Sequence, residues 1–167
     1  MNENSKRDEL IDAVRNGAAD RVKRLLDEGC DVNVADDEER PLLLVAIRSG
    51  AEKGMAELLL ERGADIGWTT AEGVGLLDEA VERNRLDLAE LFIDRGLDPA
   101  LTRRRSGMTP LMLAASFDYI EMMELLYEKG ADIFAVDELG LSAVDYARKL
   151  GRRRAKKWLD DKMANPF

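Results

Sequence analysis

The chain has 167 residues, 46% of them hydrophobic and 35% charged, which is typical of a folded protein and excludes a disordered chain. Its net charge of −9 disfavours nonspecific attraction to nucleic acid or anionic lipid. Histidine is absent, which removes the commonest general base and metal ligand, and no apolar run approaches the ~20 residues that span a bilayer.

The N-terminal sequence MNENSKRDEL has no apolar segment behind its charges and does not resemble a secretory signal. The single Cys30 cannot form an internal disulfide, in agreement with a reducing compartment. We therefore expect a cytoplasmic protein.

Four stretches share one pattern: two apolar residues, two charged residues, Gly, any residue and Asp. They are LLDEGCDV (25–32), LLERGADI (59–66), FIDRGLDP (92–99) and LYEKGADI (126–133). Their glycines follow one another at spacings of 34, 33 and 34 residues. Glycine takes the left-handed conformation that ends a helix without strain. The pattern predicts four helices that end at these glycines.

A shorter helix is predicted before each of these helices, with a fifth near the C-terminus. The segments are RDELIDAVRNG (7–17), RPLLLVAIRSG (40–50), VGLLDEAVERN (74–84), MTPLMLAASFD (108–118) and LSAVDYARKLG (141–151). Each contains a small Ala that allows close helix packing. In the fourth, Thr109 caps the helix and Pro110 supplies its first turn.

The repeat length and the TPLMLAA motif (109–115) resemble the ankyrin-repeat family, over roughly residues 7–159. The resemblance implies an all-α solenoid of stacked helix-turn-helix units with a concave binding face. The units would be joined by β-hairpin-like loops, here called finger 1 (33–40), finger 2 (68–75), finger 3 (101–108) and finger 4 (135–142). We expect one domain over 1–167, with repeats at about 7–39, 40–73, 74–107 and 108–140, a C-terminal cap at 141–160 and a flexible tail at 161–167.

The chain departs from the family pattern at several positions. Met112 stands where the family has His, and Leu76 and Ala143 stand where it has Pro. The Asn that braces the finger remains only as Asn33. Repeat two is also longer than repeat four, and we expect the extra residues in the turn SGAEKGM (49–55).

The family geometry implies a set of partner-binding residues on the fingers and on the ends of the first helices. They are Arg48, Trp68, Glu82, Arg83, Arg103, Arg104, Met108, Ser116 and Phe117. Exposed Arg and aromatic side chains are the residues from which binding hot spots are built. Burial in the fold is the alternative for Trp68.

Other motifs have a plainer interpretation. The run Arg103–Arg105 could bind a phosphate or an acidic partner, but is also typical of a solvated loop. The run DDEE (36–39) lacks the spacing of a calcium loop, and GVG (73–75) lacks the third Gly of a dinucleotide site. Cys30 is expected to be a small buried residue, and NPF (165–167) resembles an adaptor-binding peptide but is also typical of a frayed end.

The function that we predict is binding of another protein, without catalytic residues, cofactor or metal. An inhibitor or immunity-type protein that occludes a toxin or enzyme is the alternative. We expect a monomer that does not associate with membranes, and nucleic acid is a minor option through Arg103–Arg105 and GRRRAKK (151–157).

Overall fold

Ten α-helices and no strand lie in residues 3–165, the part of the chain that this computed structural model describes. The helices are α1 (Glu3–Arg15), α2 (Ala19–Asp27), α3 (Leu42–Ser49), α4 (Lys53–Glu61), α5 (Leu76–Glu82), α6 (Leu86–Asp94), α7 (Pro110–Ser116), α8 (Ile120–Glu128), α9 (Ala143–Lys149) and α10 (Arg153–Ala164). The predicted all-α fold of five helix pairs is confirmed. The last helix continues to Ala164, beyond residue 160 where the predicted cap ends.

The chain divides into two compact units, Met1–Trp68 and Thr69–Phe167. In unit 1, α1 packs on α2 and α3, and α4 packs on α2 and α3. In unit 2, the first helices α5, α7 and α9 lie side by side in that order, and each packs on its own second helix, α6, α8 or α10. The single domain predicted from the sequence stays a prediction.

Small residues allow the first helices to pack closely. The alanine of every first helix is between 0% and 4% exposed, at Ala13, Ala46, Ala80, Ala114 and Ala147. Larger apolar side chains of the second helices, such as Phe92 and Met122, fill the space beneath them and are fully buried. Within each unit, the helix pairs therefore bury apolar surface against one another, as stacked repeats require.

The predicted helix-ending glycines have the predicted conformation. Gly29, Gly63, Gly96 and Gly130 have φ values of 90°, 90°, 110° and 105°. The amide of the residue after each glycine donates to a carbonyl near the end of the helix, as Cys30 does to Leu25. These bonds satisfy carbonyl groups that the helix leaves without a partner.

The first helices begin at equivalent positions, which corrects the alignment on proline. Thr109 is the N-cap of α7, where its Oγ1 accepts from the Met112 amide at 3.3 Å, and Pro110 is the first helical residue, as predicted. Pro41, however, is the N-cap of α3 and so corresponds to Thr109 rather than to Pro110. From proline to the helix-ending glycine, repeat two (41–63) spans two residues more than repeat four (110–130). One of the two is this shift. The other lies in the turn, where Ala51 and Glu52 follow the left-handed Gly50 but only Tyr119 follows the left-handed Asp118.

The fingers are short hairpins closed by single β-bridges. The bridges pair Ala35 with Pro41, Thr69 with Gly75, and Val136 with Ser142. In finger 3 the Thr102 hydroxyl closes the loop instead, donating to the Met108 carbonyl at 2.7 Å.

Neighbouring fingers of unit 2 contact each other. The Arg105 amide donates to the Glu72 carbonyl at 3.1 Å, and the Glu138 amide donates to the Ser106 carbonyl at 2.9 Å. Gly73 has φ +80°, and a Cβ there would lie 1.8 Å from the Arg103 carbonyl oxygen. Glycine is therefore required at this contact, both for its conformation and for its size.

Candidate protein-binding surface

Finger 3 places its three arginines in three different environments. Arg103 is exposed on the arm of the finger, and Arg105 is exposed at its tip, 3.9 Å from the Glu72 carboxylate. Arg104 instead turns inward, with 13% of its side chain exposed. The basic run is therefore not one cationic surface.

Arg104 anchors finger 3 to α5, the first helix of the same repeat. Its Nε donates to Asp78 Oδ1 at 3.0 Å, and its Nη2 lies 3.5 Å from Glu82 Oε1. The other oxygen of Asp78 accepts from the Gly75 amide at 2.8 Å, so one carboxylate caps α5 and holds the finger. This placement leaves little of the Arg104 side chain exposed to a partner, and its predicted role as a contact residue stays a prediction.

The C-terminal ends of the first helices of unit 2 form a row of exposed side chains. The residues that follow α5, α7 and α9 are Arg83, Phe117 and Leu150. Phe117 is 43% exposed, Leu150 is 49% exposed, and the Arg83 side chain is 37% exposed. Because the three helices lie side by side, these residues occupy equivalent positions in neighbouring repeats.

The row is held by contacts beneath it. Arg83 Nη1 donates to Glu79 Oε2 at 2.9 Å, and the Glu79 side chain is 5% exposed. The Phe117 ring stacks on Tyr119, with centroids 5.3 Å apart and planes 18° apart. Both side chains are therefore held in place before any partner binds, which lowers the entropy cost of association.

The remaining predicted residues of unit 2 are partly exposed. Glu82 lies one residue before Arg83, with 37% of its side chain exposed. Ser116 donates its hydroxyl to the Met112 carbonyl at 2.8 Å, and Met108 is half-buried in finger 3. These residues border the row without extending it.

Two predicted residues belong to unit 1. Arg48 is exposed in the last turn of α3, and Trp68 is half-buried at the end of the unit. Trp68 thus fits neither a buried core residue nor a fully exposed contact, and its predicted binding role stays a prediction.

Exposed apolar residues near the C-terminus were missed by the sequence reasoning. Leu150 is 49% exposed, and Val136 and Leu139 of finger 4 are 60% and 79% exposed. Their positions in the repeat would have identified them, since Leu150 has the same place after α9 that Phe117 has after α7.

Titratable groups of the fingers are engaged in anchoring. Burial alone would raise the pKa of Asp36, but hydrogen bonds from the Arg40 side chain and from backbone amides outweigh it and lower that pKa. The hydroxyl of Tyr146, in α9, donates to Asp137 of finger 4 at 2.6 Å, and this hydrogen bond raises the pKa of Tyr146 to about 12. Neither group resembles a general acid or base near neutral pH.

The remaining motifs lie in loops and at the C-terminus. Asp36, the first residue of DDEE, binds Arg40 and Arg15, and no cluster of three or more metal-ligating side chains occurs in the described residues. GVG closes finger 2 before α5. Cys30 is half-buried rather than buried. Of NPF, Pro166 and Phe167 lie outside the described residues. Within residues 3–165, no helix is both long and apolar enough to cross a membrane.

Two family comparisons match the chain. The family described as "Ankyrin repeats (3 copies)" matches residues 10–103, and the one described as "Ankyrin repeats (many copies)" matches residues 93–147. Together they span both units.

Similar proteins come from distant organisms. An ankyrin repeat-containing protein of Treponema pallidum is 33% identical over 140 residues, which is 83% of this chain and 46% of that protein. Alpha-latrocrustotoxin-Lt1a of Latrodectus tredecimguttatus is 28% identical over 80% of this chain and 10% of its own length. An L-asparaginase of Dirofilaria immitis is 29% identical over 95% of this chain and 26% of its own length. The chain thus spans less than half the length of each of these relatives.

Proposed function

The chain belongs to the ankyrin-repeat family, and on that premise we propose that it is a non-enzymatic module that binds another protein through the first-helix ends and finger 3 of unit 2. Ankyrin repeats are generally protein–protein interaction modules. The observation that carries the proposal is the row of Arg83, Phe117 and Leu150, three exposed side chains at equivalent positions on helices that are rigidly packed.

The composition of this surface supports a protein partner. Aromatic and Arg side chains contribute most to protein–protein affinity, and this row combines one of each with the aliphatic Leu150. Arg103 adds a further cation on the arm of finger 3. The relative named as an asparaginase does not bring that activity to this chain, because the match covers only 26% of that protein. The inhibitor alternative and the monomeric state stay predictions.

Affinity capture with matched variants tests the proposal. The immobilised chain is incubated with extract of its native cells, and retained proteins are compared with those retained by Arg83→Ala/Phe117→Ala. The control is Arg95→Ala/Phe134→Ala, which removes the same two residue types from exposed positions that follow the second helices α6 and α8.

We expect one or more proteins to be retained by the wild type and by the control and lost by Arg83→Ala/Phe117→Ala. The same proteins retained by all three would contradict the proposed surface. A partner lost only by the control would place the binding surface on the second helices.

A further inference from the structure

The helix turns of the last two repeats form one continuous surface in unit 2. We call it the turn patch and define it by Phe117, Tyr119, Leu150, Arg153 and Arg154. Two hydrogen bonds join the two turns: Arg152 Nε donates to the Ser116 carbonyl at 2.7 Å, and the Ala155 amide donates to Asp118 Oδ1 at 2.7 Å. Packing of α7 on α9 holds the same two turns together beneath these bonds.

The turn patch combines exposed apolar side chains with two arginines that form no ion pair in the described chain. Residues 148–157 contain seven Lys and Arg and no Asp or Glu. Several are engaged: Arg148 pairs with Asp145, Lys156 with Asp160 and Lys157 with Asp161. Arg153 and Arg154 are exposed and make no ion pair with any residue of the described chain.

The stability of the fold does not account for these two guanidinium groups. They lie in the first turn of α10, where positive charge is unfavourable because the helix dipole is positive there. A guanidinium has no acceptor for the free amides of a helix start, and Asp118 supplies the carboxylate that accepts from the Ala155 amide, so the arginines do not serve as caps. The two positive charges therefore destabilise the start of α10, and no contact within the described chain offsets this. A negatively charged partner would offset it.

The apolar part of the patch decides which negatively charged partner fits. Phe117 and Leu150 are each exposed by more than 40% and lie at equivalent positions on adjacent helices. An aliphatic side chain offers little to a stacked base, and the chain's net charge of −9 opposes a polyanion. A peptide with a few carboxylates and a few apolar side chains complements both parts of the surface.

We propose that the turn patch binds an acidic peptide segment of the partner protein whose apolar side chains cover Phe117 and Leu150 while its carboxylates pair with Arg153 and Arg154. The inference rests on the proposed function, since it names the chemistry of the partner at the same end of the first helices. Arginine suits the role, because its planar fork binds carboxylates in a bidentate manner.

Fluorescence anisotropy with three synthetic peptides of about 12 residues tests the inference. The first alternates Asp and Glu with Leu and Phe, the second has the same acids with Ser in place of the apolar residues, and the third has the same apolar residues with Asn and Gln in place of the acids. We expect the first peptide to bind at least about tenfold more tightly than either of the others.

Variants of the full chain locate the binding. Arg153→Glu/Arg154→Glu should weaken binding of the first peptide at least about tenfold, and Phe117→Ala/Leu150→Ala should do the same. The matched control is Lys23→Glu/Arg24→Glu, which makes the same charge change at exposed cations of α2 that form no ion pair within residues 3–165, and it should alter affinity less than about twofold. Circular dichroism and thermal melting establish that each variant folds, and Arg153→Gln/Arg154→Gln replaces the reversal if it does not.

Several results would overturn the inference. Equal affinity for the first and second peptides would remove the apolar contribution, and tighter binding of a single-stranded DNA of similar length would indicate a nucleic-acid site. Equal weakening by the α2 control would indicate general charge repulsion, and no binding of any peptide would exclude this partner chemistry. In that last case, a partner still captured by the wild type and lost by Arg83→Ala/Phe117→Ala would leave the proposed function standing.

Discussion

Finger 1 and finger 3 are each anchored to the first helix of their own repeat by an ion pair, with the charges of loop and helix exchanged between the two fingers. In finger 1 the carboxylate belongs to the loop. Asp36, with 3% of its side chain exposed, accepts at Oδ2 from Nη2 of Arg15, at the end of α1, at 3.3 Å. In finger 3 the guanidinium belongs to the loop: Arg104 donates to Asp78 of α5 at 3.0 Å. The comparison shows that the anchor depends on a buried opposite charge, whichever side supplies it.

The two fingers also differ in the side chain that closes the loop by hydrogen bonds to its backbone. Asp36 also accepts two amides of its own finger, from Glu38 and Arg40, at 3.0 Å each. Arginine has no acceptor, so finger 3 obtains its closure from Thr102, whose hydroxyl accepts from the Arg104 amide at 3.1 Å and donates to the Met108 carbonyl. In finger 1 Asp36 both anchors and closes the loop, whereas in finger 3 these two tasks fall to Arg104 and Thr102.

The largest expected effect comes from reversing the charge of finger 3. Arg104→Glu would place a third carboxylate beside Asp78 and Glu82 in a mostly buried site. We expect the free energy of unfolding, measured by urea denaturation, to fall by about 4 kcal/mol. The matched control is Arg105→Glu, whose side chain is 74% exposed, with an expected change within about 0.5 kcal/mol. Equal effects of the two variants would contradict the anchoring role.

The contact between fingers 2 and 3 gives the second largest effect. Gly73→Ala would bring a Cβ into the Arg103 carbonyl and strain a residue at φ +80°, so we expect a loss of about 3 kcal/mol in the free energy of unfolding. Gly140→Ala in finger 4 has a similar φ of +74° but no atom near its Cβ, and should cost only about 1 kcal/mol. Similar losses for the two variants would show that backbone conformation alone matters.

We expect the anchor of finger 1 to weaken in acid. Because the pKa of Asp36 is lowered in the folded state, its contribution is present above the unfolded pKa of about 3.9 and is lost as pH falls below it. Asp36→Asn should reduce the free energy of unfolding by about 2 kcal/mol at pH 7, and the difference from the wild type should shrink below pH ~4. A difference that is constant from pH 7 to pH ~2.5 would contradict this interpretation.

The smallest expected effect concerns the brace of finger 1. Asn33 Nδ2 donates to the Gly63 carbonyl at 3.2 Å, and its Oδ1 accepts from the Asp65 amide at 2.8 Å. Both bonds are exposed, so Asn33→Ala should lower the free energy of unfolding by about 1 kcal/mol. Phe134→Ala, at the equivalent place in finger 4, where no such brace exists among the described residues, should change it by less than about 0.5 kcal/mol.

Local chemistry made the repeats predictable from the sequence. A positive φ at the helix ends favours glycine, which stands at 29, 63, 96 and 130, and close packing of the first helices requires a small residue such as Ala. The spacing of these glycines and alanines therefore predicted the helix pairs. Proline was less reliable, because it can serve either as N-cap, as Pro41 does, or as the first helical residue, as Pro110 does.

The candidate surface was less predictable, because it depends on where long side chains end. Arg103, Arg104 and Arg105 are alike in sequence, and only the position of Asp78 turns the middle one inward. Leu150 has the same place after α9 that Phe117 has after α7, but the sequence does not show how far a side chain at that place is exposed. Contacts between repeats determine how far each side chain is exposed, and the spacing of residues along the chain does not reveal these contacts.

Hydrogen–deuterium exchange of the complex with a captured partner tests the central claim most directly, namely that the partner contacts the first-helix ends and finger 3 of unit 2. We predict slower amide exchange at residues 82–84, 103–118 and 148–154 on binding, with no change in α6. Slower exchange confined to α6 and α8, or to unit 1, would contradict the account.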